Sequence, residues 1–166
     1  MSIQLVIEHM RTLNDLHGRL LDIANRKKDA LIVNAIDEIN SLVNQEVKLV
    51  RQIASTDAQR LEAIGSFLQE QGIIADSVTV TDIVKLVFNV DERREITEQR
   101  ERLLGTIGQL KELNDVNQQL IEQSLAYLDY SLDVVSGGSE SEVVYQRPQG
   151  SSAYQASRRG LFDKKA

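Results

Sequence analysis

The chain has 166 residues, a formal net charge of −6 and no cysteine. That length suits one domain with a modest core, and the acidic balance argues against a nucleic-acid or anionic-membrane surface as principal partner. The missing cysteine excludes disulfides, a thiolate nucleophile and a cysteine-based zinc site. No apolar run approaches the ~20 residues of a membrane span, and MSIQLVIEHMRTLND is too polar and acidic for a secretory signal, so a soluble cytoplasmic protein without membrane insertion is expected.

A first helix is expected from Ile3 to about Val33. Ile3, Val6, Met10, Leu13, Leu20, Ala24 and Leu31 recur at three- and four-residue steps, with His17 and Lys27 interrupting the line and Gly18 as a soft spot. Asn34-Ala35-Ile36-Asp37 resembles a helix N-cap followed three residues later by an acid. A break there is compatible with the sequence, and so is one continuous helix over 3–71, since neither glycine nor proline enforces a stop. The second helical stretch runs from about Ala35 to Gln71, with Ile36, Ile39, Val43, Val50, Ile53, Ile64 and Phe67 assigned to one face. Glu46 and Asp57 fall on that face, and Glu46 is expected to hydrogen-bond within the bundle. Gly72 stands where a helix-ending C′ glycine belongs.

Ile73–Val80 reads as a connecting loop, although Val78 and Val80 alternate with polar residues and also admit a short strand. Thr81 is expected to cap a short helix over Asp82–Phe88, whose Ile83, Val84, Val87 and Phe88 could plug the end of a hairpin. The chain then enters a proline-free stretch from about Asp91 to about Val135, with Asp91 as the expected cap and acids in its first turn. Unbroken, it would be roughly 65 Å long. A seam of three- and four-residue steps passes through Ile96, Leu103, Ile107, Leu110, Asn114, Asn117, Ile121, Ser124, Leu128, Ser131 and Val135. A second apolar line, Leu113, Leu120, Leu125 and Leu132, lies beside its second half. The C-terminal half is therefore apolar over a broader arc than one partner helix would cover. Gly105 and Gly108 suggest close approach of another backbone. Asn114 and Asn117 are residues of the kind that fix register in a coiled-coil seam.

After Val135 the pattern stops at Ser136-Gly137-Gly138-Ser139. The tail over 136–166 contains the chain's only proline, Pro148, and three of its seven aromatics, Tyr145, Tyr154 and Phe162. With Arg147, Arg158, Arg159, Lys164 and Lys165 against Glu140, Glu142 and Asp163, it carries +2 beside a body of −8. A mobile polar tail with the anchors Tyr145, Tyr154, Leu161 and Phe162 has the composition of a segment that orders on binding. The expected architecture is all-α: a long antiparallel, coiled-coil-like helical hairpin or bundle over 1–135 with a short connecting helix, followed by the tail.

No chemistry-bearing constellation emerges. His9 and His17 are eight apart with no acid or second histidine one turn away on their face, no triad can be assembled, and Gly105 and Gly108 sit mid-helix with no phosphate-loop context. The reading is a binding protein with no catalytic, cofactor or metal residues. Tyr127 and Tyr130, three apart near the long helix's C-terminus, suit either an interface or a bundle cap.

LKELNDVNQQLIEQSLAYLDYSL resembles the C-terminal helix of FlgN-type flagellar export chaperones. The family's N-x-x-N-x-x-L-I-x-x-S-L pattern falls here on Asn114, Asn117, Leu120, Ile121, Ser124 and Leu125. KKDALIVNAIDEINSLVNQEVKLV, with Glu46, is similar to the family's first helical half, and RRGLFDKKA is similar to the tails of Gram-positive members, where Phe162, Asp163 and Ala166 have counterparts. The resemblance implies a small all-helical cytoplasmic chaperone. Such proteins bind the helix-forming C-terminal segments of the hook-filament junction proteins FlgK and FlgL, keep them unpolymerised, and deliver them to the cytoplasmic domain of the export-gate protein FlhA. It points to Leu113, Asn117, Leu120, Ile121, Ser124, Leu125, Leu128 and Leu132 as client-binding residues. It also points to Tyr127 or Tyr130 as the gate contact, without distinguishing them. A homodimer is compatible with the same sequence. The rival reading is a structural coiled-coil adaptor dimerising through its long C-terminal helix.

Overall fold

The computed structural model describes residues 2–73 and 78–137. They form four helices, α1 (Ser2–Ile32), α2 (Ile36–Glu70), α3 (Val80–Leu86) and α4 (Val90–Val135), as the all-α expectation required. The anchors Tyr145, Tyr154, Leu161 and Phe162 lie outside the described residues, as does the middle of the connector before α3. Met1–Leu128 forms one compact unit and Asp129–Ala166 another, of which the last turns of α4 are described.

The break at residue 34 is real, but Asn34 is not an N-cap. It sits at φ 54° as the left-handed residue that ends α1. Its N–H bonds the Leu31 carbonyl (3.2 Å) and the Ala35 N–H reaches back to Ala30 (2.9 Å). That bonding pattern stops a helix by satisfying its last carbonyls, and asparagine is the non-glycine residue that best tolerates the required backbone. The Ala35 cap position of α2 has no side-chain cap bond. The other end of α2 closes the same way: Gly72 (φ 68°) bonds Gln69, Ile73 bonds Leu68 (2.9 Å), and the two apolar side chains of that last pair join one cluster.

The turn at residue 34 folds α2 back along α1. Ser2 Oγ meets Glu70 (2.6 Å) at one end, and Lys27 Nζ meets both Glu46 oxygens (2.7 and 2.8 Å) near the other, so Glu46 is satisfied within the hairpin. α1 and α2 are closely apposed. Leu16, Ile23 and Ala30 of α1 pack against Leu42 and Leu49 of α2. This corrects the expected face of α2. The inward line is Ile39, Leu42, Glu46, Leu49, Ile53, Thr56, Ala63 and Phe67, whereas Ile36, Val43 and Val50 are exposed. Two apolar lines run side by side on α2, and burial of the larger leucines decides which one faces α1.

At the open end of the hairpin a second cluster joins Val6, Ile7 and Met10 to Ile64, Phe67, Ile83, Val87 and Ile96. α3 delivers Ile83 to it. Its N-cap is Thr79, not Thr81. The Asp82 N–H bonds Thr79 Oγ1 (3.3 Å), while Asp82 Oδ2 accepts from the Thr79 hydroxyl (2.6 Å) and N–H (3.2 Å). These bonds, the hydroxyl's first, hold the Asp82 carboxyl below its ordinary pKa. Ile83 and Val87 are buried as the plug expectation required, but Phe88 faces solvent. α4 is capped by Asn89, not Asp91: Asn89 Oδ1 accepts from the N–H groups of Asp91 (2.9 Å) and Glu92 (3.3 Å).

α4 runs in the same direction as α1, tied to it by Gln4–Glu92, Arg11–Glu95 and Asn14–Gln99 pairs. Its inward line also differs from the expected seam. Ile96, Leu103, Leu110, Asn117 and Ser124 face inward, joined by Gln99, Thr106, Leu113 and Leu120 rather than by Ile107, Asn114, Ile121 and Leu128. One half of the expected seam is thus shifted by a single residue, and Ile107, Ile121 and Leu128 remain outside. Gly105 and Gly108 do not admit a neighbouring backbone: a Cβ on either would meet nothing within 4 Å.

Two consequences are measurable by chemical unfolding. Gly105→Ala and Gly108→Ala should each raise stability by about 0.5–1 kcal/mol, because an exposed mid-helix glycine carries only its propensity cost. Asn34→Ala should lower stability by about 1 kcal/mol while Asn34→Gly leaves it unchanged or higher, since the left-handed backbone penalises a Cβ.

Candidate functional site

The site begins where α4 makes its last buried contact with α1. Ala24, fully buried, has a side chain too small to hold a neighbouring helix away. Asn117, itself 3% exposed, donates from Nδ2 to the Ala24 carbonyl (3.0 Å). Asn14 does the same work nearer the N-terminus, donating to the Gln99 carbonyl (2.9 Å) and side chain (2.8 Å). Neither Asn14 Oδ1 nor Asn117 Oδ1 has a protein partner. A half-satisfied buried amide costs stability while fixing register, so these residues set where α4 lies along α1. Asn114, in contrast, is exposed.

No residue of α4 beyond Asn117 is fully buried, yet the helix stays apolar. Leu120 and Ser124 are half-buried, and Ile121, Leu125 (56% exposed) and Leu128 (55%) are open. Opposite them the hairpin turn contributes Ile32, Val33 and Ile36, all exposed, which the short loop around Asn34 projects outward. Between the two lies a cleft of about 600 Å³ lined by Leu31, Ile32, Asn34 and Ile36 on one wall and Leu120, Gln123, Ser124, Tyr127 and Leu128 on the other. Its lining carries no charged side chain. An apolar trough beside an exposed apolar helix ridge can take the non-polar face of another helix.

Of the residues singled out from the sequence, Leu120, Ser124, Leu128 and Tyr127 come together in this cleft. Ile121 and Leu125 are on the same stretch of α4 but do not line it, and Leu113 borders a smaller cleft with Leu21, Asn25 and Val116. Asn117 is buried with its amide engaged, so it acts by holding α4. Leu132 and Tyr130 are exposed on the later turns of α4. The cleft wall from the hairpin, Ile32 and Ile36 above all, was missed. Periodicity alone places Ile36 on the α2 core face, and the competing line through Leu42 and Leu49 is the signal that it belongs outside.

A second cleft of about 710 Å³ lies along α1 and α2, lined by Arg19, Arg26, Lys48 and Arg102 with Asp15 and Asp22 among others. Neither cleft holds a histidine. His17 bonds the Leu13 carbonyl of its own helix through Nδ1 (2.7 Å). Among the described residues no group of three or more histidine or acidic side chains is placed to hold a metal ion, and no helix is long and apolar enough to cross a membrane.

The described residues thus make an all-helical scaffold with an apolar cleft. The chain belongs to the FlgN family, whose model, described as FlgN protein, matches residues 1–153. It is thus a member of a family of flagellar export chaperones that act by binding and not as enzymes. It is 27% identical over 168 residues to the "Uncharacterized protein YvyG" of Bacillus subtilis (strain 168), and the match spans the whole of both chains. No solved structure matches the chain.

The two asparagines of the family pattern separate cleanly by burial. Asn117→Ala should cost about 1–2 kcal/mol in urea unfolding through loss of the buried bond to Ala24. Asn114→Ala should stay within about 0.5 kcal/mol of the parent, as an exposed position does.

Proposed function

We propose that this chain is a cytoplasmic export chaperone for the hook-filament junction proteins FlgK and FlgL. Their helix-forming C-terminal segments would lie in the apolar cleft between the α1–α2 turn and α4. The supporting observation is that α4 remains apolar past its last buried contact, leaving Leu128 more than half exposed in the cleft with Ile32 and Ile36, and Leu125 open on the adjoining face of the helix. A client helix laid there covers on both sides what neither helix covers alone. Occupation of that client face is what keeps the subunits unpolymerised. Leu113 and Ile121 extend the contact along α4.

Delivery to the cytoplasmic domain of FlhA fits the two late tyrosines, both about 70% exposed. Tyr127 lines the cleft and is committed to the client, which leaves Tyr130 for the gate.

Calorimetric titration of the full chain with the C-terminal segment of FlgK tests this reading. One-to-one binding with a negative heat-capacity change is expected. Leu120→Ala and Leu128→Ala should each weaken it roughly tenfold, the effect of removing an anchor side chain worth about 1.4 kcal/mol, with the fold intact by circular dichroism. Unchanged affinity in both variants would refute the cleft as client site, and absence of heat at two temperatures would refute the client.

A further inference from the structure

α2 carries a second apolar line that the core does not account for, and of which only Ile36, at its N-terminal end, also lines the cleft. Ile36, Val43, Val47, Val50, Ala54 and Leu61 all face outward, the five larger ones between 40% and 61% exposed. At 100° per residue the six fall within a strip about 60° wide, on the side of α2 turned away from Leu42 and Leu49. Along the helix the strip is about 38 Å long.

The order of the spacings decides what covers it. Successive steps along the strip are seven, four, three, four and seven residues, which reads the same from either end. We propose that this strip is the interface of a homodimer in which α2 of one chain lies antiparallel on α2 of a second, about a two-fold axis between Val47 and Val50. An isologous contact requires that if residue i meets residue j, then j meets i. That axis meets the requirement throughout: Val47 faces the second copy's Val50, Val43 its Ala54, and Ile36 its Leu61. On one flank Asn44 falls near the second copy's Arg51, an amide acceptor beside a guanidinium. No like charges are brought face to face, and Arg51 has no ion-pair partner among the described residues. The palindrome is what lets the strip of a second copy of this chain match it residue for residue.

The absence of cysteine from the sequence makes the register directly testable in the full chain. Val43 and Ala54 are about 16 Å apart on one helix, beyond the reach of a disulfide within a chain. Under mild oxidation an equimolar mixture of Val43→Cys and Ala54→Cys chains should give a covalent heterodimer, and either variant alone should stay single. Sedimentation of the parent should show mass rising from one chain toward two between micromolar and near-millimolar concentration. Val47→Glu, at an exposed position that leaves the helical circular dichroism unchanged, should hold the chain at one. A parent that stays monomeric throughout, a dimer that survives Val47→Glu, or Val43→Cys cross-linking to itself as readily as to Ala54→Cys would each overturn the proposal.

Discussion

The geometry of the apolar cleft depends on the hydrogen bond from Asn117 to the Ala24 carbonyl. It is a polar contact in a position that the surrounding heptad would fill with leucine, and it leaves one amide oxygen without a protein partner. A leucine there would pack in several registers and depths. An amide that must find a carbonyl has one. With Asn14 performing the same service on Gln99, α4 is fastened to α1 at two places, and the length of helix beyond the second fastener determines how much apolar surface stands free. The hairpin of α1 and α2 supplies the rail, and the left-handed turn at Asn34 ends that rail abruptly, so that α4 continues where α2 has already turned back.

That arrangement leaves an apolar cleft at one end of the hairpin. The larger of the two core clusters lies at the opposite end of the hairpin from the turn, where Ile7, Met10, Phe67, Ile83 and Ile96 meet. The end near the turn is apolar but uncovered, the condition for taking up a helix from another protein. Membership in the FlgN family of flagellar export chaperones agrees with a site that binds and releases without altering its ligand.

The sequence made the helices legible and their facing directions less so. Element types and the stop at Gly72 follow from periodicity and from glycine at a helix end, whereas the sequence is equally compatible with a break at residue 34 and with one helix over 3–71; only the left-handed backbone of Asn34 decides it. The errors came from adjacent apolar lines. On α2, Val43 and Val50 stand one residue from Leu42 and Leu49, and on α4, Ile121 and Leu128 stand one residue from Leu120 and Tyr127. One helix read alone cannot say which line its partner takes, because that depends on the partner's bulk and on polar fasteners such as Asn117. Caps were misplaced by two residues at α3 and at α4 because Thr79 and Asn89 compete with equally suitable neighbours. Gly105 and Gly108 suggested a close helix contact, but glycine in a sequence signals lost propensity without saying what, if anything, approaches. The Ile32 and Ile36 wall of the cleft was invisible for the same reason as the α2 error.

Hydrogen exchange on the full chain, with and without a saturating C-terminal segment of FlgK, tests the central claim most directly. Exchange should slow over Leu120–Leu128 and over residues 31–36, with the Ile7–Phe67 end of the hairpin unchanged. Protection confined to that far end, or no change at α4 under saturation, would contradict it.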